Sequence, residues 1–222
     1  MRRRLIILGT GGLAREVAMV MEQINAREHR WQFLGFVGDS SEQVGMDLGT
    51  GMVLGDDAWL LSQTMELDLV VGIGYPKVRA RVLLPYLSRS SQFAFPNLIH
   101  PHTSIDCRRV ELGRGNVITS GCAFTCHIEV TDFNLFNLNV TVGHDARIGS
   151  FNVINPGSNI SGRVHLGDRV LAGTGCQILE NIVIGSDVII GAGAVVLGNI
   201  ADGETVVGVP AKPIQKKAEN RL

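Results

Sequence analysis

The hexad Val142-Gly143-His144-Asp145-Ala146-Arg147 holds the pair of side chains best suited to moving a proton. An imidazole with nothing perturbing it titrates near 6.5, so at neutral pH it can take a proton from an attacking amine or hydroxyl. A neighbouring carboxylate can fix the tautomer of the ring and stabilise the imidazolium that forms. Adjacent strand residues face opposite sides, so a His144–Asp145 pair needs the irregular backbone of a corner. Without such a corner both residues are merely solvated. Of the other histidines, His100, His102, His127 and His165 read as surface residues.

A second candidate site lies near the start. Arg4-Leu5-Ile6-Ile7-Leu8 reads as a buried strand and Gly9-Thr10-Gly11-Gly12-Leu13-Ala14 as a turn. A helix carrying Val17, Ala18, Val20, Met21 and Ile24 follows. This order aims backbone N–H groups and a helix N-terminus at phosphate. Further strands over 33–37 and 68–73 end at Gly38-Asp39-Ser40 and Gly74-Tyr75. Ligands of open α/β sheets collect at the carboxyl ends of strands, so Gly11, Gly12, Asp39, Ser40, Gly74 and Tyr75 should gather there. Asp39 is placed to accept from a ribose hydroxyl or a base, or else stands in a solvated turn. About 95 residues cannot hold both halves of a dinucleotide fold. The competing reading is a structural cap whose glycines only permit close packing.

What positions the histidine is a repeat. From Leu112 to Val196 an aliphatic or aromatic residue returns every sixth position, through Ile118, Phe124, Val130, Phe136, Val142, Ile148, Ile154 and Ile160 and on, with Ala172 the one small member. Ile99 and Ile105 precede it one residue out of phase. No helix or alternating strand has that period, whereas a hexapeptide β-helix does, with three hexads to a triangular turn. Residues 18 apart then stack, giving one interior column of Phe124, Val142, Ile160, Ile178 and Val196 and another of Phe136, Ile154, Ala172 and Ile190. The pattern changes near Pro96, so the expected division is an α/β domain over 1–96 and a β-helix over 97–222.

Composition agrees with this reading and excludes others. The chain has 222 residues, 45% of them hydrophobic, and a net charge of −1. Disorder and a nucleic-acid-binding basic face are both excluded. Glycine, at 27 residues, is nearly twice its ordinary share of about 7%. No run approaches the roughly 18 apolar residues of a membrane span. Met1-Arg2-Arg3-Arg4 imitates a signal peptide, but the apolar run after it stops at Gly9. Cys107, Cys122, Cys126 and Cys176 show no paired spacing. Reduced thiols and a cytoplasmic location are expected.

The hexads, and the close Val207-Gly208-Val209-Pro210-Ala211-Lys212, resemble the hexapeptide acyltransferases. That resemblance implies a left-handed parallel β-helix, a homotrimer with active sites between neighbouring prisms, and acetyl-CoA as co-substrate. Taken with Gly9-Thr10-Gly11-Gly12 and His144-Asp145, the whole chain is similar to the sugar acyltransferases of the bacillosamine-pathway and sialate type. Their small Rossmann-like parallel-sheet domain binds a nucleotide-linked sugar. The family often has a histidine or another polar residue where this chain has Leu13. The resemblance implies His144 as general base, Asp145 as its partner, and coenzyme contacts at Val153, Gly162, Thr174, Ala192 and Lys212. Gly162 would offer its amide to the thioester oxygen. Val153 stands where some relatives place a second histidine. Lys212, Lys216 and Lys217 would meet coenzyme phosphates or simply solubilise the tail.

The expected activity is N-acetylation of a nucleotide-linked amino sugar. The alternatives are O-acetylation of a sugar of the sialate type and a non-catalytic hexapeptide scaffold. The related zinc-dependent γ-type carbonic anhydrases carry two histidines at HxxxxH spacing, which does not occur here, so no metal is expected.

Overall fold

The computed structural model describes residues 2–89 and 91–214. Its first part is a parallel sheet of β1 (Arg3–Leu8), β2 (Trp31–Val37), β3 (Val53–Gly55), β4 (Leu67–Val71) and β5 (Phe93–Ala94), in the spatial order β3-β2-β1-β4-β5. The chain leaves β1 to one side and returns on the other, which opens a crevice at the carboxyl ends of β1, β2 and β4. From Leu5 to Leu8 and from Leu67 to Val71 every residue is buried. Strands covered on both faces read as continuous apolar runs, and these two do save for Asp68, whose carboxylate accepts from Trp31 Nε1 and pairs with Arg3.

The covering helices are α1 (Gly12–Glu28), α2 (Asp57–Ser62) and α3 (Pro76–Leu87). α1 turns Ala14, Val17, Ala18, Met21 and Ile24 inward at helical spacing. It is sandwiched, because that apolar layer also takes in Leu98, Val117, Leu135 and Val153 from the second part of the chain. On the other side of the sheet, Leu60 of α2 and Leu83 and Tyr86 of α3 pack with Phe93, Phe95 and Phe133.

The second part is a triangular parallel β-helix. Its first face stacks Leu98–Ile99, Val117–Ile118, Leu135–Phe136, Val153–Ile154, Leu171–Ala172 and Ile189–Ile190, then Thr205–Val207 and an antiparallel Lys212–Pro213. The second stacks Ala123–Phe124, Thr141–Val142, Asn159–Ile160, Gln177–Ile178 and Val195–Val196. The third stacks Val110–Leu112, Ile128–Val130, Arg147–Ile148, His165–Leu166 and Val183–Ile184. Both interior columns read from the period are present in register. The out-of-phase start has a simple cause: Ile99 lies against Ile118, one residue more than a regular coil.

Each buried Ile, Leu or Val contributes about 1.5–3 kcal/mol, so the columns dominate the stability of the coil. The corners are not made by glycine alone. His127, Asp145, Arg163 and Asn181 have positive φ at one corner, as do Phe133, Phe151, Arg169 and Asp187 at another. Asn and Asp tolerate that conformation through local hydrogen bonding, whereas Phe and Arg are held there by their neighbours. A buried asparagine ladder closes the corner between the third and first faces. Asn116, Asn134 and Asn152 accept from the N–H groups of Asn134, Asn152 and Val170 at 2.9, 2.9 and 2.7 Å.

Candidate active site

His144 and Asp145 turn the corner from the second face to the third, between Thr141–Val142 and Arg147–Ile148. Asp145 has a φ of 60°, and this left-handed residue is the irregularity that lets two consecutive side chains meet. His144 Nδ1 lies 2.7 Å from Asp145 Oδ2, with both side chains about half exposed. A carboxylate only accepts, so the proton sits on Nδ1 and the lone pair on Nε2. The hydrogen bond from His144 holds the Asp145 carboxyl below the usual carboxylate range, with the charges of His144, His127 and Arg163 adding to it.

One turn further on, at the same corner, lies Gly162. A Cβ there would stand 2.7 Å from His144 Nε2 and 2.8 Å from Cε1, so the imidazole occupies the space a side chain would take. Among the described residues no backbone carbonyl accepts from the Gly162 N–H. The corner therefore presents a free basic nitrogen and a free amide donor side by side. That is the minimum equipment for acyl transfer: a proton acceptor and a donor for the developing oxyanion.

The N-terminal crevice is a cleft of about 440 Å³. Gly11, Gly12, Leu13, Asp39 and Gly74 line it, as the strand-end argument expects. Thr10 of the glycine turn lines it too, as do Gln43, Asp57 and Arg81, which the sequence reading passed over. α1 enters without a side-chain cap and without an acidic residue in its first turn, which leaves its N-terminus open to an anion. Gly72 lets α1 pack closely on the end of β4, since a Cβ there would meet Ala14 Cα at 2.6 Å. Asp57 accepts from the Tyr86 hydroxyl, and burial together with that bond raises the phenol well above its ordinary range.

Not every expected residue gathers. Ser40 is outside the lining; its hydroxyl accepts from Glu42 N–H and caps a short turn. Tyr75 precedes α3 and is 59% exposed, also outside the lining. Val153 is the clearest correction. It is fully buried in the layer between α1 and the first face, so no coenzyme can touch it. Thr174 and Ala192 are exposed, but they turn the corner between the first and second faces, one face away from His144. Lys212 is exposed in the closing strand, and Lys216 and Lys217 lie outside the described residues. Among the described residues no helix is long and apolar enough to cross a membrane, and no group of three His, Cys, Asp or Glu could hold a metal ion.

Residues 4–84 match the model of the PglD N-terminal domain, and residues 163–198 match that of the bacterial transferase hexapeptide, six repeats. No curated protein matches the chain. Solved structures do. A histidine-to-asparagine mutant of perosamine N-acetyltransferase from Caulobacter crescentus, in complex with CoA and GDP-perosamine, is 28% identical with a TM-score of 0.84, over 96% of this chain and 97% of that one. The acetyltransferase domain of PglB from Neisseria gonorrhoeae, in complex with acetyl coenzyme A, is 28% identical with a TM-score of 0.84, over 96% and 100%. WeeI from Acinetobacter baumannii is 26% identical with a TM-score of 0.83, over 96% and 100%. A likeness that runs through both parts of the chain, at one consistent arrangement, makes this protein an acyltransferase with an α/β domain ahead of a left-handed parallel β-helix, similar in both parts to nucleotide-aminosugar N-acetyltransferases.

Proposed function

We propose that the protein transfers the acetyl group of acetyl-CoA to the amine of a nucleotide-linked amino sugar, with His144 as the general base. The observation that carries this reading is the corner itself. The imidazole has its Nδ1 proton directed at Asp145 at 2.7 Å and its ring laid over a glycine. Relatives similar over nearly the whole chain include a perosamine N-acetyltransferase solved with CoA and GDP-perosamine and an acetyltransferase domain solved with acetyl coenzyme A.

In this reading residues 1–96 bind the nucleotide and residues 97–222 carry the chemistry. The N-terminus of α1, with Gly11 and Gly12, receives phosphate, and Asp39 accepts from the ribose or the base. Leu13 adds an apolar wall in place of a polar contact. Acetyl-CoA fits the coil as co-substrate, since the exposed corner residues Thr174 and Ala192 are small enough for a pantetheine arm to lie against backbone. His144 Nε2 takes the proton of the sugar amine as its nitrogen bonds to the thioester carbon. The Gly162 N–H stabilises the oxyanion, and the carbon–sulfur bond then breaks to release the coenzyme thiolate. Asp145 stabilises the imidazolium in between.

One prism keeps Thr174 and Ala192 on a different corner from His144. A homotrimer would place the coenzyme corner of one copy against the catalytic corner of the next, completing the site. The test is turnover of acetyl-CoA against GDP-, UDP- and dTDP-linked amino sugars and against free sugars. Acetylation of a nucleotide-linked amine supports the reading, and turnover confined to free sugars or to hydroxyl groups contradicts it.

A further inference from the structure

Arg79 is fully buried, yet among the described residues no carboxylate pairs with it. Its guanidinium instead donates to three backbone carbonyls. Nη1 reaches Val71 O and Ile73 O, each at 3.0 Å, and Nε reaches Phe133 O at 2.7 Å, while Nη2 has no partner. The first two acceptors bracket Gly72, where β4 ends and the wall of the crevice begins. The third belongs to the prism, at the corner between its third and first faces.

Burial without a counter-ion is costly, and it drags the guanidinium down to about 9. An aliphatic side chain would fill the space without that penalty, but it would orphan three carbonyls and remove the hydrogen-bonded joint between the crevice wall and the coil, leaving mainly apolar packing there. The prism side of the joint is itself stiff. Phe133 has a φ of 59° and sits between Phe95, edge-on at 5.2 Å, and Phe151, stacked at 5.3 Å. Lys77, on the same helix as Arg79, reaches Asp187 of a later coil at 3.6 Å.

We infer that Arg79 is a positioning residue: it bolts the Gly72–Gly74 wall of the nucleotide crevice to the prism corner at Phe133, and so sets where the bound sugar lies relative to the acyl-transfer corner. This rests on the crevice being the nucleotide site. The residue touches neither substrate, and its effect passes through the carbonyls of Val71 and Ile73.

The test uses Arg79→Lys, which keeps the charge and loses the fork, beside Arg79→Met, which keeps the bulk and loses both. Hydrogen exchange of the substrate-free full chain reads the clamp, and kinetics read its consequence. We expect faster exchange in the segment 71–76 and around residue 133, with the coil from 141 to 196 unchanged. We expect KM for the nucleotide-linked sugar to rise about tenfold and KM for acetyl-CoA to stay within about twofold. Unchanged exchange at 71–76 would overturn the inference. So would altered exchange with no change in the sugar KM, or an equal loss toward both substrates. If wild-type protein turned over no nucleotide-linked sugar, the proposed function would fall and with it the positioning role, whereas the exchange data would still decide whether the clamp exists.

Discussion

The two parts of the molecule build their sites by opposite means. At the prism corner, the candidate residues stand within two consecutive coils: His144 and Asp145 in one, Gly162 in the next. The N-terminal crevice is assembled from the ends of three strands and from three helices, with lining residues spread from Leu8 to Val82. A repeat fixes geometry through register, since 18 residues always mean one step along the prism. A doubly wound sheet fixes it through topology, so distant segments must all arrive before a ligand finds a surface. Substitutions at the corner should therefore act on turnover, and those in the crevice on substrate affinity.

The largest such contrast is expected for Gly162→Ala. The φ there is ordinary, so the coil should fold, but the new methyl would displace the His144 ring. A kcat loss of about 100-fold, with both KM values little changed, is expected from misplacing the base by about an ångström. Steady-state kinetics with thermal melting as a control would check it. Because the Gly162 N–H survives the substitution, the loss would report on the ring and not on the amide.

Asp145→Asn should cost less, about tenfold in kcat, because an amide oxygen can still accept from Nδ1–H but cannot balance an imidazolium. The acid side of the pH profile tests the same residue. Its folded carboxyl lies below the ordinary range, so its contribution to stability is complete above that range and is lost only as pH falls through the lowered value. The pair should thus persist in mild acid, with a small effect because Asp145 is exposed. In the crevice, Asp39→Asn should raise KM for the nucleotide-linked sugar several-fold and leave kcat and the KM for acetyl-CoA near wild type. A loss of kcat at Asp39, or of sugar affinity alone at Gly162, would erase the distinction between the two regions.

The same difference governs what could be read from the residues alone. Period six is visible in a string, so the coil, its columns and the exposed corner at His144 were all legible. Thr174 and Ala192 were named from the family resemblance, and counting in eighteens from His144, which reaches 162 and 180 but never 174 or 192, already puts them at a different corner. Val153 misled for a different reason. The period says which residues face the axis but not which outer face carries another domain, and α1 covers that one. In the crevice, the glycine turn and Asp39 announced themselves, whereas Gln43 and Asp57 sit on short elements with no sustained periodicity and Arg81 on α3. α3 opens on Pro76 and contains Pro85, which obscures a helical pattern. Arg79 was invisible for the simplest reason: nothing in a sequence marks an arginine as buried.

The most direct measurement is the kcat of His144→Gln on a nucleotide-linked amino sugar with saturating acetyl-CoA, in protein that melts like wild type. The account predicts a loss of about 10²- to 10⁴-fold with the sugar KM preserved, since an amide fills the corner but accepts no proton. Turnover within a fewfold of wild type would contradict it, and would mean that the amine loses its proton elsewhere.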